Sequence, residues 1–151
     1  MPAPNDEVAD NLLAVVATIG DQRAKDLLDR NHDETDPRRA IRRLHRALRY
    51  GRTTVHAIKA FQELGNRYEA LGNSRLAILY YTKALRLALD LDILPLPLLY
   101  WRGRVYLRIG DRESARRDFG WATELDNAAT LFPEEYELAR SVLDTEQGNA
   151  D

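Results

Sequence analysis

The chain has 151 residues, a formal net charge of −2, 44% hydrophobic residues and no cysteine, so it can form one cored domain without disulfides or thiol chemistry. Its longest apolar run is far shorter than the roughly 20 residues that span a bilayer. Its N-terminus lacks the basic start of a secretory signal, and we therefore expect a cytoplasmic protein with no membrane span.

The N-terminal third predicts two short helices. After a loose leader over residues 1–5, residues 6–19 form a helix that Gly20 closes, and Asp21 caps a second helix through about residue 30. The apolar residues of both helices are expected to face the core. They are Val8, Leu12, Leu13, Val16, Ile19, Ala24, Leu27 and Leu28.

The next helix, over residues 37–50, carries a basic face. Asp36 can cap it, and Pro37 fits its first position. Residues 37–52 hold seven arginines and no acid, whereas residues 1–36 hold nine acids and three bases. The face could bind nucleic acid, an anionic surface or a protein partner, or the preceding acids could neutralise it. Tyr50 alone could stack on a base. The candidate basic patch consists of Arg38, Arg39, Arg42, Arg43, Arg46 and Arg49.

The rest of the chain predicts two helical hairpins and a final helix. Helices 54–71 and 74–90 are joined at Gly72, which suits a left-handed turn, and Asn73 or Ser74 caps the second. Pro95 and Pro97 interrupt the connection, and helices at about 98–109 and 112–125 follow. A last helix covers 127 to about 146, with its true start near Pro133, and residues 147–151 form a frayed tail.

An internal repeat of 38 residues relates the two hairpins. A period of this size predicts stacked helix pairs. We expect the small residues to let the helices of each hairpin approach, Gly65 beside Ala77 and Gly103 beside Ala115. We expect the aromatic rings to fill the space between hairpins. The matched pairs are Gly65 and Gly103, Tyr68 and Tyr106, Gly72 and Gly110, Ala77 and Ala115, Tyr81 and Phe119, and Ala84 and Ala122.

This pattern resembles the tetratricopeptide repeat family, whose consensus runs W-x2-L-G-x2-Y, then A-x3-F/Y-x2-A, then P. Phe61 stands at the Trp position, Arg102 at the second copy's Leu, and Asn127 at its Pro. We identify repeats at about 58–91 and 96–129, and a degenerate N-terminal one in which helix 21–31 pairs either with helix 37–50 or with helix 6–19.

The resemblance implies an all-α fold, a right-handed superhelical stack of antiparallel helix pairs with about eight helices. It implies a single domain: degenerate helices over 6–52, the two hairpins over 53–127 and a capping helix over 128–146. It also implies a non-catalytic module that acts as an adaptor, assembly factor or regulator. Such a module binds a peptide or partner helix in a groove lined by the first helix of each repeat.

The expected groove contacts suit an acidic segment, because two guanidiniums, an amide and an aromatic ring are expected to converge there. Gln62 stands where chaperone-binding members carry a clamp lysine, so chaperone-tail binding is not expected. The contact residues are Lys59, Gln62, Asn66, Glu69, Tyr100, Arg104 and Arg108.

Three other hypotheses remain. Nucleic-acid or anionic-surface binding through helix 37–52 is the alternative function. Self-association through apolar groups is a further one, and its candidates are Trp121, Leu94, Leu96 and Leu98. An enzyme ranks lowest, because no residue set converges on a reaction. The histidines lack ligand spacing, so neither cofactor nor metal is expected.

Overall fold

The computed structural model describes residues 4–51, 54–125 and 127–145, and every regular element in these ranges is an α-helix. Neighbouring helices pack in pairs, which confirms the all-α class and the number of helices. None of the described helices is both long and apolar enough to cross a membrane. The helices are α1 (Pro4–Asp29), α2 (Pro37–Tyr50), α3 (Val55–Ala70), α4 (Ser74–Asp90), α5 (Leu96–Arg108), α6 (Arg112–Glu124), α7 (Ala128–Leu131) and α8 (Pro133–Asp144).

The chain divides into two compact units, Met1–Leu64 and Gly65–Asp151, and the boundary falls within α3. In the first unit, α1 is one helix of 26 residues, so the two helices predicted at 6–19 and 21–30 are wrong. Gly20 lies inside α1, where a Cβ would be 2.7 Å from the carbonyl oxygen of Tyr50. The glycine therefore permits close approach of α1 to the end of α2 and does not end a helix.

The N-terminal half of α1 exposes residues that were expected to face the core. Leu12, Val16 and Ile19 are 61%, 64% and 51% exposed, so that expectation is wrong. The reason is that α2 packs against the C-terminal half of α1, where Ala24 and Leu28 are buried. Segment 21–29 thus pairs with helix 37–50, which is one of the two pairings predicted for the degenerate N-terminal repeat.

Some expectations for the chain ends lie outside what the structure describes. They concern the side chains of Val8 and Leu13, the leader over residues 1–3, and the residues from 146 onward. α1 itself begins at Pro4, inside the predicted leader.

α2 begins as predicted. The side chain of Asp36 accepts a hydrogen bond from the backbone N–H of Arg38 at 2.9 Å, and Pro37 occupies the first helical turn. The apolar arc of the helix is buried, while most of the arginines on the opposite arc are exposed. The sequence pattern therefore sets which face of α2 meets α1.

In the second unit, both predicted turns adopt the expected conformation. Gly72 and Gly110 have φ angles of 74° and 80°, the left-handed region that glycine enters without a Cβ clash. Asn73 then caps α4 by accepting from the N–H of Leu76, and Asp111 caps α6 in the same manner. The two hairpins are thus built alike at their turns.

Within each hairpin, the atoms nearest to the glycine of the first helix belong to an aromatic ring of the second helix. A Cβ at Gly65 would lie 2.5 Å from the Tyr81 ring, and one at Gly103 would lie 2.7 Å from the Phe119 ring. Both rings are fully buried. Each ring therefore packs against the first helix of its own hairpin, and the Tyr81 ring also lies 6.2 Å from the Trp101 ring on α5, between the two hairpins as predicted.

α5 begins at Leu96, two residues before the predicted start. Pro97 is tolerated because it lies in the first turn, where its missing N–H has no helical acceptor. Leu96 and Leu98 are buried, so they cannot form the exposed apolar patch, whereas Leu94 and Trp121 are exposed.

The C-terminal segment contains a short α7 and then α8. Phe132 separates them with φ −138° and ψ 66°, outside the helical region that a following proline disfavours, and Pro133 starts α8 as predicted. α8 packs against α6, and its Ala139 is buried.

Candidate functional site

Glu69, in the last turn of α3, is the centre of a polar cluster in the second unit. Its Oε1 accepts from Arg108 Nη2 at 2.7 Å and from Arg104 Nε at 3.2 Å. Its Oε2 accepts from Arg104 Nη2 at 3.2 Å and from the hydroxyl of Tyr81 at 2.9 Å. The carboxylate therefore joins three helices, α3, α4 and α5.

Helical spacing explains this convergence. Arg104 and Arg108 are one turn apart on α5, so both side chains reach the same point. Asn66 lies one turn before Glu69 on α3, and its Oδ1 is 2.7 Å from the Tyr81 hydroxyl. That hydroxyl has one proton and two acceptors, Asn66 and Glu69, so the three groups form one network.

The balance of burial and hydrogen bonding keeps Glu69 ionised. Burial alone would raise the pKa of its carboxyl, but hydrogen bonds from Arg104, Tyr81 and Arg108 outweigh burial and leave the pKa below its ordinary value of 4.5. At neutral pH the carboxylate thus holds both guanidiniums in place.

The cluster leaves cationic surface available. The Glu69 side chain is 11% exposed, whereas those of Arg104 and Arg108 are 47% and 49% exposed. Two guanidiniums share one carboxylate, so the group carries a net positive charge. Because Glu69 already orders both arginines, a bound carboxylate would find them in position.

The structure brings together four of the seven predicted groove residues, namely Asn66, Glu69, Arg104 and Arg108. Lys59 and Gln62 lie in the first unit, and their role stays a prediction.

Tyr100 differs from the expectation. It is 2% exposed and packs between two rings, with centroid distances of 6.4 Å to Phe119 and 6.3 Å to Phe132. Its place on the buried side of α5 removes it from any contact surface.

Sequence reasoning treated Tyr81 as a core residue and missed its hydroxyl. A signal was present in the repeat itself. At the offset of 38 residues, Phe119 takes the place of Tyr81, and Leu107 takes the place of Glu69. The hydroxyl and its acceptor therefore occur together in the first hairpin and are both lost in the second.

The basic patch on α2, in the first unit, is only partly neutralised. Arg43 pairs with Glu34 at 3.1 Å and donates to the carbonyl of Arg30, and Arg39 pairs with Asp36 at 3.4 Å. No described acid lies within ion-pair distance of the other four arginines of the patch. They are Arg38, Arg42, Arg46 and Arg49.

No arrangement of three histidine, cysteine or acidic side chains suited to a metal ion is found in the part of the chain that the structure describes. Residues 58–91 match the family model of the tetratricopeptide repeat. The match covers α4 and most of α3, and it coincides with the first predicted repeat. No curated protein matches the chain significantly.

Proposed function

We propose that this chain, whose assignment to the tetratricopeptide repeat family the match over residues 58–91 supports, binds an acidic segment of a partner protein. The observation that carries the proposal is the half-exposed pair of guanidiniums that Glu69 holds on α5. In this role the chain is a non-catalytic cytoplasmic adaptor, assembly factor or regulator.

The chemistry of the cluster favours a carboxylate as the bound group. Arginine presents planar, paired N–H donors that match the two oxygens of a carboxylate. Glu69 uses only part of this capacity, since Arg108 reaches it through a single nitrogen, Nη2. Asn66 adds an amide beside the same carboxylate. A side-chain amide can accept a hydrogen bond from a peptide backbone or donate one to it.

The test is affinity capture from the native host with two matched variants. Arg104→Gln with Arg108→Gln removes both cations of the cluster. Arg75→Gln with Arg86→Gln removes two exposed cations from α4 and changes the net charge equally. We expect the first variant to lose the partners that the wild-type protein captures, and the second to retain them.

Folding must be checked in parallel, because removal of both arginines leaves Glu69 with fewer donors. Tyr81 still donates to it, so we expect the helical circular dichroism signal to be kept. A folded Arg104→Gln, Arg108→Gln protein that captures the same partners in the same amounts would refute the groove assignment.

A further inference from the structure

A cleft of about 490 Å³ lies between the C-terminal half of α1 and the basic face of α2, both in the first unit. Leu27 forms part of its wall. The other lining residues are all arginines: Arg30, Arg39, Arg42, Arg43 and Arg46.

The spacing of the arginines follows from the helix. Positions 39, 42, 43 and 46 recur at three and four residues, so they form one stripe on α2. The stripe is about 10 Å long at 1.5 Å per residue. In an extended peptide, side chains on one side are about 7 Å apart, so two acids at alternate positions fit within this length.

The charges in the cleft are not balanced. Arg43 is held by Glu34, and Arg39 has an exposed partner in Asp36. Among the described residues, no acid lies within ion-pair distance of Arg30, Arg42 or Arg46. Such like charges repel one another, and a bound anion would relieve that repulsion.

Arg43 gives the cleft a fixed element. Its side chain is 29% exposed, and it donates both to Glu34 and to the carbonyl of Arg30. These bonds attach α2 to the loop that follows α1, which includes Arg30 of the cleft lining. An oxyanion would therefore meet the held guanidinium of Arg43 on one side and guanidiniums without a described acidic partner on the other.

The surroundings favour a short acidic segment over nucleic acid. Tyr50, the aromatic residue at the end of α2, already has the guanidinium of Arg23 over its ring at 5.6 Å. One face of its ring is thus occupied, whereas single-stranded nucleic acid needs free rings for stacking. The adjoining cleft is lined by Arg23, Arg30 and Arg46 but also by Asp26, whose carboxylate lowers the positive charge there.

We infer that the cleft between α1 and α2 binds a short acidic segment of a protein, through two or more carboxylates that pair with Arg30, Arg42 and Arg46. The inference concerns the first unit alone and stands independently of the Glu69 cluster in the second unit.

The probe is a fluorescein-labelled peptide of alternating Glu and Ala, compared with its Gln–Ala counterpart by fluorescence anisotropy on the full chain. We expect the Glu peptide to bind, its affinity to fall as salt rises, and the Gln peptide to bind much more weakly.

Two variants with equal change in charge locate the site. Arg42→Gln with Arg46→Gln removes two unpaired cations of the cleft. Arg38→Gln with Arg49→Gln removes two exposed cations of the same helix that do not line the cleft. We expect about a tenfold loss of peptide affinity in the first variant and at most about a twofold loss in the second.

Three results would overturn the inference. They are equal losses in both variants, which would indicate net charge alone; no binding of the Glu peptide; and a single-stranded oligonucleotide that binds more tightly than the peptide. The Arg104→Gln, Arg108→Gln variant keeps the cleft and should bind the probe about as well as wild type if most binding is at the cleft. A loss in that variant alone would place the peptide at the Glu69 cluster and refute the cleft.

Discussion

The ring of Tyr81 occupies the space that a side chain at Gly65 would need, because a Cβ there would lie 2.5 Å from Cε1 of the ring. The same relationship recurs between Gly103 and Phe119 at 2.7 Å. Each repeat therefore requires a glycine on its first helix, which leaves room for the aromatic ring of its second helix. This contact also holds the Tyr81 hydroxyl where it can reach Glu69.

Gly65→Ala should destabilise the protein, although alanine is the better helix former. We expect a loss of about 1–3 kcal/mol in the free energy of unfolding, because the added methyl group would force the buried ring to shift within the core. Gly120→Ala is the matched control, since nothing lies within 4 Å of a Cβ at that position of α6. Urea unfolding should show a gain of about 0.5–1 kcal/mol there. Equal effects of the two substitutions would contradict the packing described for Gly65.

Arg102 should contribute strongly to the stability of the fold as long as Asp118 is present. The two form a buried bidentate pair, with N–O distances of 2.8 and 2.6 Å, and Arg102 also donates to Thr82. Arg102→Leu would leave the Asp118 carboxylate buried and unpaired, so we expect a loss of about 3 kcal/mol.

The first repeat suggests how that loss could be repaired. At the offset of 38 residues, Leu64 and Tyr80 stand in place of Arg102 and Asp118. The double variant Arg102→Leu, Asp118→Tyr should recover most of the stability, to within about 1 kcal/mol of wild type, since no unpaired charge remains. Thermal unfolding of both single variants and the double variant measures the coupling. Additive losses would contradict the pairing.

The contribution of Glu69 to stability should depend on pH. Its folded pKa lies below the ordinary 4.5, so its stabilising effect is present above that pH and is lost as the pH falls through the folded pKa. The difference in unfolding free energy between wild type and Glu69→Gln should therefore be largest near neutrality and should shrink on acidification. Urea titrations between about pH 3 and pH 7 test this. A constant difference would mean that the charge of Glu69 is not what holds the cluster.

Leucine-to-alanine substitutions in α1 should change the stability of the protein by different amounts in its two halves. Leu28→Ala removes a buried side chain and should cost about 2–4 kcal/mol. Leu12→Ala makes the same change at an exposed position of the same helix and should cost less than about 0.5 kcal/mol. Denaturant unfolding of the two variants compares them directly. A similar large loss at Leu12 would show that the N-terminal half of α1 is covered.

The sequence by itself determined the features that depend on neighbouring residues. Apolar residues spaced three and four positions apart indicate the helices. Gly72 and Gly110 mark the turns, and Asp36 and Asn73 mark the helix caps. Each of these signals acts within one or two helical turns of its own position. The repeat offset likewise located the hairpins, since it needs no knowledge of contacts. The basic face of α2 followed from the same periodicity.

Only the tertiary structure decided which distant side chains meet. Gly20 looked like a helix end, and it is a point of close approach to Tyr50. Tyr100 looked like a groove residue, and packing against Phe119 and Phe132 buries it. The position of Arg104 beside Glu69, 35 residues earlier in the chain, likewise depends on how the helices pack. Local periodicity describes a helix face, but the partner of that face is set by packing between helices, where small differences in side-chain volume and charge decide the contact.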